Sequence, residues 1–141
     1  MRLVVDANIL VSELLRVKGR VLLADERLEL FVAARAWEEA QHELRKRTAR
    51  IAERGRLTEA LTADVLAAGV ALAEERTTVL GEAEYGGLKK EALARLPNDP
   101  DDWPTVALAL VLEADIWTQD KDFLGCGVAT WTSATLRAKL S

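Results

Sequence analysis

Leu3-Val4-Val5-Asp6-Ala7-Asn8-Ile9 is a run of mostly branched apolar side chains interrupted by one carboxylate. It reads as a short buried strand that ends near Asp6. Apolar residues in succession, rather than in alternation, suit a parallel sheet covered by helices on both faces. Working outward, Leu28 to Val32 reads as a second strand. A long helix is expected from about Ala34 to Arg54, with Ala33, Ala36, Trp37, Ala40, Leu44 and Ile51 on its apolar face and Gly55 as a C-terminal cap. Thr58 is suited to cap the next helix, whose expected apolar face is Leu61, Val65, Ala68 and Leu72. A weaker helical stretch covers Leu88 to Leu96.

All three prolines, Pro97, Pro100 and Pro104, fall within eight positions and mark a loop. Pro104 is tolerated in the first turn of a new helix. The stretch from Val106 to Leu112 is apolar all round, so that helix is expected to be buried on most sides. Ile116-Trp117-Thr118 then reads as a strand with Asp120 just beyond it, Val128 to Trp131 as a last short strand, and Ser133 to Leu140 as a closing helix. Strands alternating with helices imply an α/β sandwich around a mostly parallel sheet.

The length of 141 residues suits a single domain spanning 1–141. An apolar fraction of 50% excludes a disordered chain, and no uncharged run approaches the roughly 18–20 residues of a membrane-spanning helix. A carboxylate at position 6 interrupts the place where a signal peptide needs its apolar run. A lone cysteine, Cys126, cannot make an internal disulfide, so a cytoplasmic setting is expected. The net charge of −4 argues mildly against a nucleic-acid partner, but it conceals a segregation. Arg45, Lys46, Arg47, Arg50, Arg54 and Arg56 form a basic segment, whereas Asp99, Asp101, Asp102, Glu113, Asp115, Asp120 and Asp122 crowd the last third.

Ligands of open parallel sheets bind beyond the carboxyl ends of the strands. Asp6 and Asp120 are expected there, and Asp102 precedes the buried helix that leads back to Asp120. A helix of about ten residues returns the chain roughly 15 Å, enough to bring Asp120 to the level of that loop. Carboxylates converging on one cleft repel each other unless a cation intervenes, and Mg²⁺ or Mn²⁺ suits oxygen ligands. Each acid alone has a plainer use, as a strand-end aspartate, a helix cap or a polar turn. Their joint order and spacing carry the signal.

Three blocks, Val4-Val5-Asp6-Ala7-Asn8, Asp99-Pro100-Asp101-Asp102 before Val106-Ala107-Leu108-Ala109, and Thr118-Gln119-Asp120-Lys121-Asp122-Phe123, resemble the PIN domain family in order and over nearly the whole chain. The resemblance implies a three-layer α/β/α sandwich and a Mg²⁺- or Mn²⁺-dependent ribonuclease. It also implies a homodimer or higher oligomer, and an antitoxin partner if the chain is a VapC-type toxin. By position, the family's first aspartate corresponds to Asp6, with Asn8 at the polar place two residues on. The third corresponds to Asp102, or to Asp101 in a register one residue earlier. The fourth corresponds to Asp120, with Thr118 before it and Asp99 and Asp122 as accessory acids. The second acidic position, a glutamate early in the long helix, falls on Glu39. Glu39 lies about 120° from the centre of the apolar face and Glu38 about 140°. Glu38 and Glu43 remain alternatives, and here alanine rather than the family's usual leucine follows the glutamate.

The resemblance thus implies hydrolysis of RNA phosphodiester bonds, with Asp6, Asp102 and Asp120 on the metal and Glu39 nearby. An acidic pocket repels phosphate, so Arg45, Arg47, Arg50 and Arg54 are the expected RNA contacts, the last three on one helix face. The same face would otherwise be solvated, or meet an acidic antitoxin or a sister subunit. The rival reading is a catalytically weak or inactive PIN-like module that binds metal or nucleotide and acts through assembly. A phosphotransfer receiver or a haloacid-dehalogenase-like phosphatase fits less well, since Asn8 stands where the latter wants a second aspartate. His42 and Cys126 lack triad or zinc-site company, Gly86-Gly87 lacks a phosphate-loop pattern, and the four tryptophans suit packing better than base stacking.

Overall fold

A computed structural model describes residues 1–141. Five strands, β1 (Arg2–Val5), β2 (Glu29–Ala33), β3 (Thr77–Leu80), β4 (Asp115–Trp117) and β5 (Thr130–Trp131), form one all-parallel sheet in the order β3-β2-β1-β4-β5. Eight helices accompany them: α1 (Ala7–Leu14), α2 (Val17–Leu23), α3 (Ala34–Glu53), α4 (Glu59–Arg76), α5 (Glu82–Tyr85), α6 (Lys89–Ala94), α7 (Trp103–Leu112) and α8 (Ser133–Leu140). Helices α1, α2, α3 and α4 pack among themselves, while α5 and α6 pack on α7, which lies against β1, β2 and β4. This is the expected α/β/α sandwich. No helix is long and apolar enough to cross a membrane.

The core follows from the apolar runs. Leu3, Val4 and Val5 are completely buried between their neighbours, as are Val106, Ala107 and Leu108 of α7. The all-apolar α7 is therefore the central helix of its layer. Its last turn ends at Glu113, a left-handed residue with φ 51°. The long α3 runs over the expected span and buries Ala36, Ala40, Leu44 and Thr48. Gly55 adopts φ 69° just past it, a conformation that favours glycine.

The first strand ends at Val5, beside Asp6 as expected, and residues 7–9 belong to α1, which starts directly after Asp6. Apolar residues 7–14 are thus one face of a buried helix, and Asn8 is exposed on its first turn. Strand β3 was not anticipated: it follows α4 with no glycine or proline to mark the change. The last strand is shortened to Thr130–Trp131. On α4 the buried residues are Thr62, Gly69 and Ala73, whereas Leu61 and Val65 are exposed, as is Ala68. Small residues win there because α4 approaches α1 closely: a Cβ on Gly69 would lie 3.7 Å from Leu14 Cβ.

Candidate metal centre

The strand order reverses at β1, with β2 and β3 on one side and β4 and β5 on the other. The crevice beyond the β1 and β4 carboxyl ends is where such sheets bind ligands. Register dictates what sits there. Val5 pairs with Trp117, so Asp6 and Thr118 stand side by side one step beyond the last pair. The Asp6 backbone N–H donates to the Trp117 carbonyl at 3.0 Å, and Thr118 Oγ1 donates to Asp6 Oδ2 at 2.9 Å. Although Asp6 is the N-cap residue of α1, its carboxylate does not cap that helix.

The next acid is tied into the same chain of bonds. The Asp120 N–H donates to Thr118 Oγ1 at 3.0 Å, and the Asp122 N–H donates to Asp120 Oδ1 at 2.8 Å. Asp122 thus orients Asp120 through its backbone while its own side chain is exposed. The proline-marked loop forms a short 3-10 turn, Pro100–Asp102, ahead of α7. It brings carboxylate oxygens of Asp99, Asp102 and Asp120 within 4.8 Å of one another. Asp6, Glu39, Asp101 and Asp102 line a cavity of about 290 Å³, together with Arg35, Ala36, Pro104 and Thr105. The first two turns of α3, which begins at the end of β2, supply Arg35, Ala36 and Glu39.

Among the glutamates weighed for the second acidic position, only Glu39 lines this cavity. Glu43 pairs with Lys46 at 3.3 Å, and the Glu38 charge is felt by Tyr85 behind the site. Asp6 is 5% exposed, and burial pushes its carboxyl up to about 6. The Thr118 hydrogen bond opposes that rise, and the charges of Asp120 and Glu39 add to it. Asp102 is raised further, to about 8, by burial first, then by a hydrogen bond shared with Asp99 and the charges of Asp6, Asp99 and Asp120.

The donor set fits a hard divalent cation. It is all carboxylate oxygen, it is held together against mutual repulsion, and neither His42 nor Cys126 is among its members. The grouping differs in one respect from the expected trio: Asp99 joins Asp102 and Asp120 at closest approach, and Asp6 reaches Asp120 through Thr118.

The basic residues lie apart. At 1.5 Å per residue, Arg45 is about 15 Å along α3 from Arg35, and Arg54 about 28 Å. Arg45 lines a second groove, between α3 and α4. Arg47, Arg50 and Arg54 make no ion pair within 4.0 Å, and the two latter are exposed. The residue that sequence reasoning missed is Arg35. Its signal was available, for it stands just past the carboxyl end of β2, as Asp6 does past β1.

Comparison with known proteins agrees with this architecture. A family model of the PIN domain matches residues 4–141. The chain belongs to the PIN domain family. Among solved structures, it is similar to PAE2754 from Pyrobaculum aerophilum, at 20% identity and a TM-score of 0.68 over 99% of this chain and 89% of that one. It is also similar to a chain of a toxin–antitoxin complex from Klebsiella pneumoniae (17% identity, TM-score 0.59, 87% and 91% covered). FitAcB from Neisseria gonorrhoeae aligns at 18% identity and TM-score 0.59, over 93% of this chain and 96% of that one. No curated protein matches the sequence.

Proposed function

We propose that the chain is a Mg²⁺- or Mn²⁺-dependent endoribonuclease, in which Asp102 and Asp120 hold the cation with Asp6 and Asp99 completing the set. The observation that carries this reading is the convergence of six acids, from the end of β1, α3, the proline loop and the segment after β4, beyond one strand reversal. A divalent ion bound there supplies Lewis acidity to a phosphodiester and acidifies an attacking water. Thr118 keeps one Asp6 oxygen fixed, and Asp122 does the same for Asp120. Glu39, on the α3 wall, is positioned to take a proton from the water. Asp102 would hold such a cation as its carboxylate, so loading would compete with protons at that site.

Asp6→Asn is expected to abolish Mn²⁺-dependent cleavage of single-stranded RNA, by at least 100-fold, with the circular dichroism spectrum unchanged. Full retained activity would overturn the assignment. Metal binding by the wild type without cleavage would favour the inactive-module reading. The similarity to a toxin–antitoxin complex supports a toxin role with an antitoxin partner. The exposed Leu61 and Val65 on α4, 52% and 37% accessible, support self-association, to be read as the mass of Leu61→Glu against wild type by light scattering.

A further inference from the structure

Within the acid-lined cavity one cation stands out. Arg35 is exposed and lines the same wall as Glu39, yet it makes no ion pair with any of the carboxylates around it. Its guanidinium carbon instead lies 6.0 Å from the centre of the Trp103 ring. The Lys89 ammonium, from the start of α6, lies 5.0 Å from the same ring and is likewise exposed and unpaired. Trp103 follows Asp102 directly and is itself 4% exposed, held from behind by Tyr85 at 5.6 Å. Two elements distant in sequence thus gather two free cations on one rigid indole, one residue from the acidic cluster.

Range decides what these cations can do that the α3 basic segment cannot. Screening reduces charge–charge attraction beyond roughly 8 Å at physiological salt. Arg45 to Arg54, roughly 9–22 Å along the helix from Glu39 on the cavity wall, lie outside that distance. A strand of RNA crossing the cavity would meet repulsion from the acids that line it, Asp6, Glu39 and Asp101 among them. Its flanking phosphates need a counter-charge within contact distance, and Arg35 and Lys89 are placed to supply it.

We propose that Arg35 and Lys89, gathered on Trp103, form a phosphate clamp that binds the RNA backbone beside the bond at the acidic cavity. This rests on the nuclease reading above. The test removes charge and keeps chain length, with Arg35→Gln, Lys89→Gln, the double variant and Arg35→Lys. Affinity for a fluorescent single-stranded oligoribonucleotide is measured by anisotropy across a salt series, in an Asp6→Asn background with Mn²⁺ so that the RNA stays intact. The double variant is expected to bind about tenfold more weakly, and to flatten the slope of log K against log salt by about 1.4, or about 0.7 per phosphate contact. Arg35→Lys is expected to keep the slope. In the cleavage-competent chain the double variant is expected to raise KM about tenfold and alter kcat less than threefold. An unchanged salt slope and KM would overturn the clamp. If the wild type binds RNA but does not cleave it with Mn²⁺, the nuclease reading fails and the salt slope alone decides the clamp. No RNA binding by the wild type overturns both.

Discussion

Asp6 is held neither as a helix cap nor in an ion pair: its carboxylate accepts from the Thr118 hydroxyl. A carboxylate in that position costs stability when ionised, and the sign follows from its raised pKa. Folded Asp6 keeps its proton up to about pH 6, whereas the unfolded group loses it near 3.8. The folded state therefore binds more protons between those values, and stability falls as pH rises through them. Asp102 extends the fall to about pH 8. At 1.36 kcal/mol per unit, Asp6 alone accounts for about 3 kcal/mol. Urea unfolding in EDTA at pH 5 and pH 8 is expected to show the loss, and Asp6→Asn to shrink it. A substitution that destroys activity while stabilising the metal-free chain at pH 8 is the behaviour of a functional acid. Thr118→Val removes the bond that restrains the Asp6 pKa and leaves the Asp120 N–H without its acceptor. It is expected to lower kcat and to move the acidic limb of the pH–rate profile upward.

Helix packing and helix ends set two further expectations. Gly19 on α2 faces α1 so closely that an added Cβ would collide with the backbone and carboxylate of Glu13. Glu13 is 2% exposed and bonded to Ser133 at 3.2 Å and Arg137 at 3.3 Å, which ties α1 to α8. Gly19→Ala is expected to cost about 2–3 kcal/mol, measured as a lower urea midpoint, because the clash is with main chain and the two helices must part. Glu113 presents the opposite case. It is exposed, and its φ of 51° strains any residue with a Cβ, so Glu113→Gly is expected to raise stability by about 1 kcal/mol. Elements were legible where one signal dominated: the apolar α7, the periodic α3, and Thr58, whose hydroxyl accepts from the Leu61 N–H at 3.1 Å. They were not legible where packing overruled pattern. The α4 stripe of Leu61, Val65 and Ala68 faces outward because Gly69 and Ala73 allow the nearer approach to the core. Apolar residues 7–14 serve a helix as readily as a strand.

For the molecule as a whole, the acidic crevice is a store of electrostatic repulsion that a bound divalent ion would relieve. Mn²⁺ at one hundred times its Kd is expected to stabilise the chain by about 2.7 kcal/mol, seen as a higher thermal midpoint. At one fixed Mn²⁺ concentration the increase should be larger at pH 8 than at pH 5, where protons compete for Asp6 and Asp102 and raise the Kd. The negative net charge thus reflects the site more than it excludes a polyanionic partner. By itself the sequence determined the parallel α/β architecture, because continuous apolar strands can be satisfied only between two helical layers. It also determined which blocks hold the acids, since their order and spacing are written along the chain. Tertiary structure alone decided which acids meet, and with what. Register puts Asp6 beside Thr118. The proline loop carries Asp99 to Asp102 and Asp120. The helix start after β2 puts Glu39, and not Glu38 or Glu43, on the cavity wall together with Arg35. Such contacts join residues as distant as Asp6 and Thr118, 112 positions apart, and they depend on strand order and on the direction each element leaves the sheet, which no local pattern encodes.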